Sequence, residues 1–255
     1  MTQVLRVALV GFGGLLLLYA LACAALYLFQ RSLLYFPQPA LLDLPSERLH
    51  VPGAELQVSV QARAGPQAVL YFGGNAEDVS GSLPGLVAAF PGQAVYALHY
   101  RGYGSSSGQP SEPALHADAA ALFDRVVREH PAITVIGRSL GSGVAIRLAA
   151  ARPALRLVLV TPYDSIAAVA AQQFGLFPVR WLLHDRFDSA ALAPQIAVPT
   201  TVIVAEHDEV IRRERSDALI ARFAPGVAQV VRIPGAGHNT LDGTPAYRTA
   251  LAGPR

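Results

Sequence analysis

From Val7 to Phe29 the chain runs for 23 residues without a charge: VALVGFGGLLLLYALACAALYLF. As a helix such a run rises about 34 Å, against about 30 Å for the hydrocarbon layer of a bilayer. A secretory h-region is shorter, about 7–15 residues. Ala20-Leu21-Ala22 fits a small-x-small cleavage pattern and Cys23 follows it, so a cleaved or lipidated leader is the alternative. The chain stays apolar for seven residues beyond Ala22, where a cleaved precursor turns polar. The expectation is therefore an uncleaved anchor within residues 1–31 that makes the lipid bilayer a partner. The amino terminus and Arg6 stand on one side of the run and Arg31 on the other. That small difference places the N-terminus inside and the domain outside the cytoplasm.

After RSLLYFPQP the sequence reads as one globular domain over residues 32–255. Leu56–Arg63 (LQVSVQAR) alternates apolar and polar, the pattern of a half-buried, antiparallel strand. Short apolar runs follow at Ala68–Phe72, Ala94–His99, Ile133–Ile136, Leu155–Val160, Thr200–Val204 and Gln229–Ile233. Helical stretches separate most of them. The clearest is Ser111–His130, with Ser111 as cap, Glu112 at its positive end, and Arg125 and Arg128 at its negative end. Pro131 stops it. Strands alternating with helices give an α/β fold with a mostly parallel sheet covered on both faces. In such sheets the reacting groups lie beyond the carboxyl ends of the strands.

Composition removes several chemistries. A net charge of +2 gives no basic surface for nucleic acid. All 20 basic residues are Arg, so there is no P-loop lysine, Schiff-base lysine or Ser-Lys dyad. The single cysteine, Cys23, excludes internal disulfides and Cys-based zinc clusters.

G-x-S-x-G occurs twice, at Gly137-Arg138-Ser139-Leu140-Gly141 and at Gly104-Ser105-Ser106-Ser107-Gly108. A nucleophile elbow needs a strand running straight in and a helix straight out. Ser139 has both, AITVIG before it and LGSGVAIRLAAAR after it. Ser106 lies well past its strand in a long loop, RGYGSSSGQP, and the glycine spacing there does not match a dinucleotide fingerprint either. A serine hydroxyl needs a positioned base. Of seven histidines, His238 sits in RIPGAGHNTL directly after the last strand, where glycines let a loop deliver an imidazole to the sheet edge. His50, His99, His116, His130 and His184 read as surface or satisfied core residues. The base needs an orienting carboxylate. Asp208 follows the TTVIVAEH strand, with Glu206 and Glu209 as close competitors. The order Ser139, Asp208, His238 is the Ser-Asp-His order of α/β-hydrolases.

Four blocks, YFGGNAED, YRGYGSSSGQPSE, GRSLGSG and the pair EHDEVI/GAGHNT, resemble the α/β-hydrolase superfamily, in particular its membrane-anchored serine-hydrolase branch. The resemblance spans roughly residues 35–250. It implies Ser139 as nucleophile, Asp208 as orienting acid and His238 as base. It also implies an oxyanion hole from the main-chain N–H groups of Asn75 and Leu140. Many members carry histidine before the Gly-Asn pair, where this chain has Gly73, so the support of that hole is open. The implied reaction is acyl transfer from a small-molecule ester or thioester to water, without metal or organic cofactor. The insertion 163–196, with Phe174, Leu176, Phe177 and Trp181, reads equally as a small apolar lid for an acyl chain or as a helix packed in the ordinary way on the sheet. DRFDS at 185–189 also matches the branch and has no assigned role. Alternatives are a peptidase or amidase, or a catalytically weak binding module at the membrane.

Overall fold

The apolar runs are rich in β-branched residues and bounded by turn formers, which suits them to buried strands. The computed structural model describes residues 3–253. Its elements in chain order are α1 (Gln3–Leu34), β1 (Ser46–Val51), β2 (Ala54–Gln61), β3 (Gln67–Phe72), α2 (Val79–Ala89), β4 (Ala94–Leu98), α3 (Glu112–Val126), β5 (Ala132–Arg138), α4 (Leu140–Ala151), β6 (Arg156–Val160), α5 (Ile166–Gln173), α6 (Val179–Leu182), α7 (Ser189–Leu192), β7 (Thr200–Ala205), α8 (Arg213–Ile220), β8 (Ala228–Ile233) and α9 (Pro245–Ala252). The strands form one sheet in the order β1-β2-β4-β3-β5-β6-β7-β8. β2 pairs antiparallel with both β1 and β4, and every pairing from β4 onwards is parallel. This is the mostly parallel, helix-flanked sheet that the alternating pattern predicts.

Each central strand buries both faces. Ala68, Leu70 and Phe72 of β3 face the layer of α3 and α4, whereas Val69 and Tyr71 face α2 and α9. Leu70, Phe72, Ile133 and Leu157 are fully buried, each contributing about 1.5–3 kcal/mol relative to exposure. The apolar runs do not reveal β1, because Leu49 is its one buried residue. The α3 helix is capped by Ser111 and ends at Val126 rather than His130. His130 instead turns inward, with Nδ1 at 2.7 Å from the Gly65 carbonyl.

The N-terminal helix α1 is long and apolar, with a mean hydropathy of 2.3 over its most apolar 18 residues, none of them buried. Its last turns dock on the domain, where Gln30 and Tyr35 are buried. The 163–196 segment folds as α5, α6 and α7 between β6 and β7, directly beside those turns.

Candidate active site

Strand β5 ends at Arg138 and α4 begins at Leu140, leaving Ser139 in the turn at φ +48° and ψ −117°. A non-glycine residue in that region costs on the order of 1–3 kcal/mol and persists only where its surroundings hold it. Here the Ser139 N–H donates to the Val160 carbonyl at 2.8 Å, and the Ser142 hydroxyl donates to the Ser139 carbonyl at 2.6 Å. The flanking glycines are steric requirements. A Cβ at Gly137 would lie 2.2 Å from the Gly141 carbonyl oxygen, and one at Gly141 2.0 Å from the Phe72 carbonyl oxygen. The turn leaves the Ser139 hydroxyl at the N-terminus of α4, beyond the carboxyl end of the sheet.

His238 reaches that hydroxyl. Its Nε2 is 3.0 Å from Ser139 Oγ, and its Nδ1 is 2.9 and 3.0 Å from the two Asp208 oxygens. The side chains of His238 and Asp208 are each 7% exposed, so water screens their attraction little. Asp208 Oδ1 also accepts the Val210 and Ile211 N–H groups at 3.0 and 2.7 Å, which fixes the carboxylate. The two competing acids hold main chain instead of the ring. Glu209 accepts the His238 N–H at 3.1 Å, a bond that holds its carboxyl below the usual carboxylate range. Glu206 accepts the Gly235 N–H at 2.8 Å.

The main-chain N–H of Leu140 opens α4 beside Ser139, and Asn75 borders the same cavity. The loop carrying Asn75 is pinned by Glu77. That carboxylate accepts the Gly74 N–H and the hydroxyls of Tyr71 and Ser82, each at 2.6 Å. Burial, followed by the Glu77 charge, pushes the Tyr71 phenol well above its ordinary value, which keeps it a donor. Histidine has no room at 73, since a Cβ there would meet Val79 Cγ1 at 2.5 Å. Arg138, the variable residue of the elbow motif, lies 3.8 Å from Glu77 and 2.9 Å from Asp242, and donates to the His238 carbonyl at 3.3 Å. One buried guanidinium thus joins the Asn75 loop to the His238 loop. Neither Glu77 nor Arg138 emerged from sequence reasoning. The available signal was a charged residue at the end of an otherwise apolar strand.

Ser106 is held in a different way. Its hydroxyl donates to the His99 carbonyl at 2.9 Å and accepts the Gln57 N–H at 2.8 Å. Among the described residues no group of three or more His, Cys, Asp or Glu side chains is arranged to hold a metal ion.

Ser139 opens on an apolar cavity of about 290 Å³. The domain supplies Leu140, Ile166, Val169 and Leu183 to its wall, and α1 supplies Leu26, Gln30 and Leu34. Specific bonds hold the helix end in place. The Gln30 amide donates to the Leu182 carbonyl at 3.1 Å and accepts the His184 N–H at 2.7 Å. Asp185, from the DRFDS block, accepts from Arg31 and from the Tyr35 hydroxyl, both at 3.1 Å. The Asn75 amide donates to the Leu34 carbonyl at 2.5 Å, so the last turn of α1 touches the Asn75 loop directly.

Comparison with known proteins agrees with this architecture. The family model described as serine aminopeptidase, S33 matches residues 68–192. An uncharacterized protein of Mycobacterium tuberculosis is 36% identical over 237 residues, covering 84% of this chain and 83% of that one. The solved structure of the alpha/beta hydrolase domain-containing protein 10 from mouse superposes with a TM-score of 0.63 at 16% identity, covering 82% of this chain and 95% of that one. A monoacylglycerol lipase from Paleococcus ferrophilus superposes at 0.55 and 21% identity, covering 72% and 90%. At those identities the two structures speak for the fold alone.

Proposed function

Given that the chain belongs to the α/β-hydrolase superfamily, we propose that it is a membrane-anchored serine hydrolase of carboxylic esters or thioesters. The observation that carries this reading is the hydrogen-bonded line from Ser139 Oγ through His238 to Asp208, at 3.0 and 2.9 Å. His238 takes the Ser139 proton as the oxygen attacks the substrate carbonyl carbon. The carbonyl oxygen becomes an oxyanion facing the N–H groups of Leu140 and Asn75. One such donor is worth about 10²–10³ in turnover. Collapse breaks the ester bond, and the leaving alcohol or thiol takes the proton from His238. Water then repeats the sequence on the acyl-enzyme, freeing the acid and restoring Ser139. Asp208 keeps the imidazole in the tautomer that accepts at Nε2 and balances the charge of the imidazolium. The apolar cavity beside Ser139 suits the acyl part of the substrate.

The membrane part of the reading draws support from the docking of α1. A leader cleaved after Ala22 has no need of bonds to the mature domain, yet the Tyr19 hydroxyl donates to the Leu176 carbonyl and its ring stacks on Phe177. The description of the matching family model favours a second reading, hydrolysis of amides or peptides by the same residues. A fluorophosphonate probe tests the chemistry. Labelling of the wild type that disappears in Ser139→Ala is the expected result. Folded protein that does not label overturns the reading in favour of a binding module. A matched panel of esters and aryl amides then separates the two substrate classes.

A further inference from the structure

The 163–196 segment does more than cover Ser139. It runs back along α1, well beyond the last turn. The Tyr19 hydroxyl donates to the Leu176 carbonyl at 2.9 Å, and the Tyr19 ring stacks on Phe177 with centroids 5.6 Å apart. Tyr27 packs edge-on against His184 at 4.7 Å. Tyr19 lies ten residues before Phe29, the end of the charge-free run, which is about 15 Å along a helix. A bilayer that accommodates Val7–Phe29 therefore also surrounds the tip of this segment.

The tip is built for that solvent. Leu176 and Trp181 are 86% and 87% exposed, next to the half-exposed Phe174. Arg180 is the only charge from Ile166 to Leu183, and its long stem lets the guanidinium reach back to the headgroups. Irregular backbone is tolerated in lipid only where its polar groups are paired. Six of the nine N–H groups from Phe174 to Leu183, all but those of Gly175, Leu176 and Arg180, donate within the segment or to α5. The carbonyls of Leu176 and Leu182 accept from Tyr19 and Gln30 of α1. Tip and helix touch where Tyr19 stacks on Phe177, and both line the cavity at Ser139, the tip through Phe174, Val179 and Leu183.

We infer that α1 and the Phe174–Leu183 tip form one membrane-embedded unit, through which the acyl chain of a bilayer lipid enters the cavity without crossing water. The substrate class is then a long-chain acyl ester or thioester whose scissile carbonyl lies at the headgroup level. Leu26 and Leu34 of the helix, together with Val169 of α5, set the length of chain admitted. This inference rests on the hydrolase reading above.

Trp181 is the only tryptophan in the chain, so its fluorescence reports the tip without any mutation. The experiment uses the full chain in phosphatidylcholine vesicles, with and without lipids brominated along the acyl chain. The expected result is a blue-shifted emission, strongly quenched by the brominated chains and little affected by aqueous acrylamide. Water-like emission, quenched by acrylamide and indifferent to bromine, overturns the embedding. The second measurement is kcat/KM on nitrophenyl esters from acetyl to palmitoyl. Each methylene that enters the cavity should raise it about fourfold until the cavity is full. Leu26→Phe should move the optimum to shorter chains and lower the long-to-short ratio about tenfold. A flat profile, or an unchanged ratio in Leu26→Phe, overturns the acyl route. Because fluorophosphonate labelling of Ser139 is scored separately, a labelled enzyme with a flat profile fails only this inference. An unlabelled protein fails the hydrolase reading.

Discussion

Ser139 and Ser106 carry the same G-x-S-x-G pattern, and each has a histidine nearby. Their surroundings assign them opposite fates. Ser139 sits strained between a strand and a helix, with an imidazole at 3.0 Å and a cavity in front. Ser106 is buried in a loop, its hydroxyl occupied by the main chain of His99 and Gln57. The His99 ring points instead to the Ser59 hydroxyl at 2.9 Å. Burial pushes that ring down to about 4, outweighing the opposing charge of Asp78. Chemistry at a serine thus depends on what the turn exposes and on what backs the base. The five-residue pattern alone is silent on both.

The largest expected effect tests that contrast most directly. Ser139→Ala should lower turnover by about 10⁶ and abolish probe labelling. Equal loss in Ser106→Ala would break the comparison. Next comes Gly141→Ala. The added carbon would sit 2.0 Å from the Phe72 carbonyl oxygen, and the elbow should lose about 4 kcal/mol or more, visible as a much lower melting temperature. A variant with unchanged Tm would show that the elbow is not held as tightly as this geometry requires.

His99 supplies a smaller, pH-dependent effect. Its folded pKa of about 4 lies below the ordinary 6.5, so in that window the unfolded chain binds a proton that the folded chain refuses. Stability is then full above the ordinary value and falls as pH drops through the window, by up to about 3 kcal/mol. Denaturant titrations at both ends should show this loss, and His99→Gln should reduce it, leaving the part carried by His116, whose ring burial also pushes down to about 4. A loss that persists unchanged in His99→Gln would assign it to other groups.

Glu77→Gln removes the charge that pins Gly74 near Ser139. If the Asn75 N–H serves the proposed oxyanion hole, turnover should fall about tenfold to hundredfold, mostly in kcat, because such a donor is needed most in the transition state. A change confined to KM would contradict a positioning role. Smallest of all, Ser106→Ala should cost about 1–2 kcal/mol for its lost hydrogen bonds, measured by denaturation, with labelling at the wild-type level.

Much of this protein was legible in advance. The elbow is local, since two glycines and a strand-helix junction are enough to specify it. The parallel sheet followed from runs that are apolar at every position, which only a sheet covered on both faces can bury. β1 escaped because an edge strand with one buried residue carries too little apolar pattern. Glu206, Asp208 and Glu209 stood as near equivalents in sequence. Only the path of the His238 loop separates the acid on the ring from the two on the main chain.

Short-range rules therefore determined the long apolar helix, the alternation of strands and helices, and the place of Ser139, because periodicity and steric demand act within a few residues of the chain. The tertiary structure alone decided that Arg138 and Glu77 tie the Asn75 loop to the His238 loop and that Leu26 of the N-terminal helix walls the cavity at Ser139. Those contacts join residues as far apart as Gln30 and Leu182. Nothing in the residues between them records such a meeting, because packing selects it only when the whole sheet and its helices are in place.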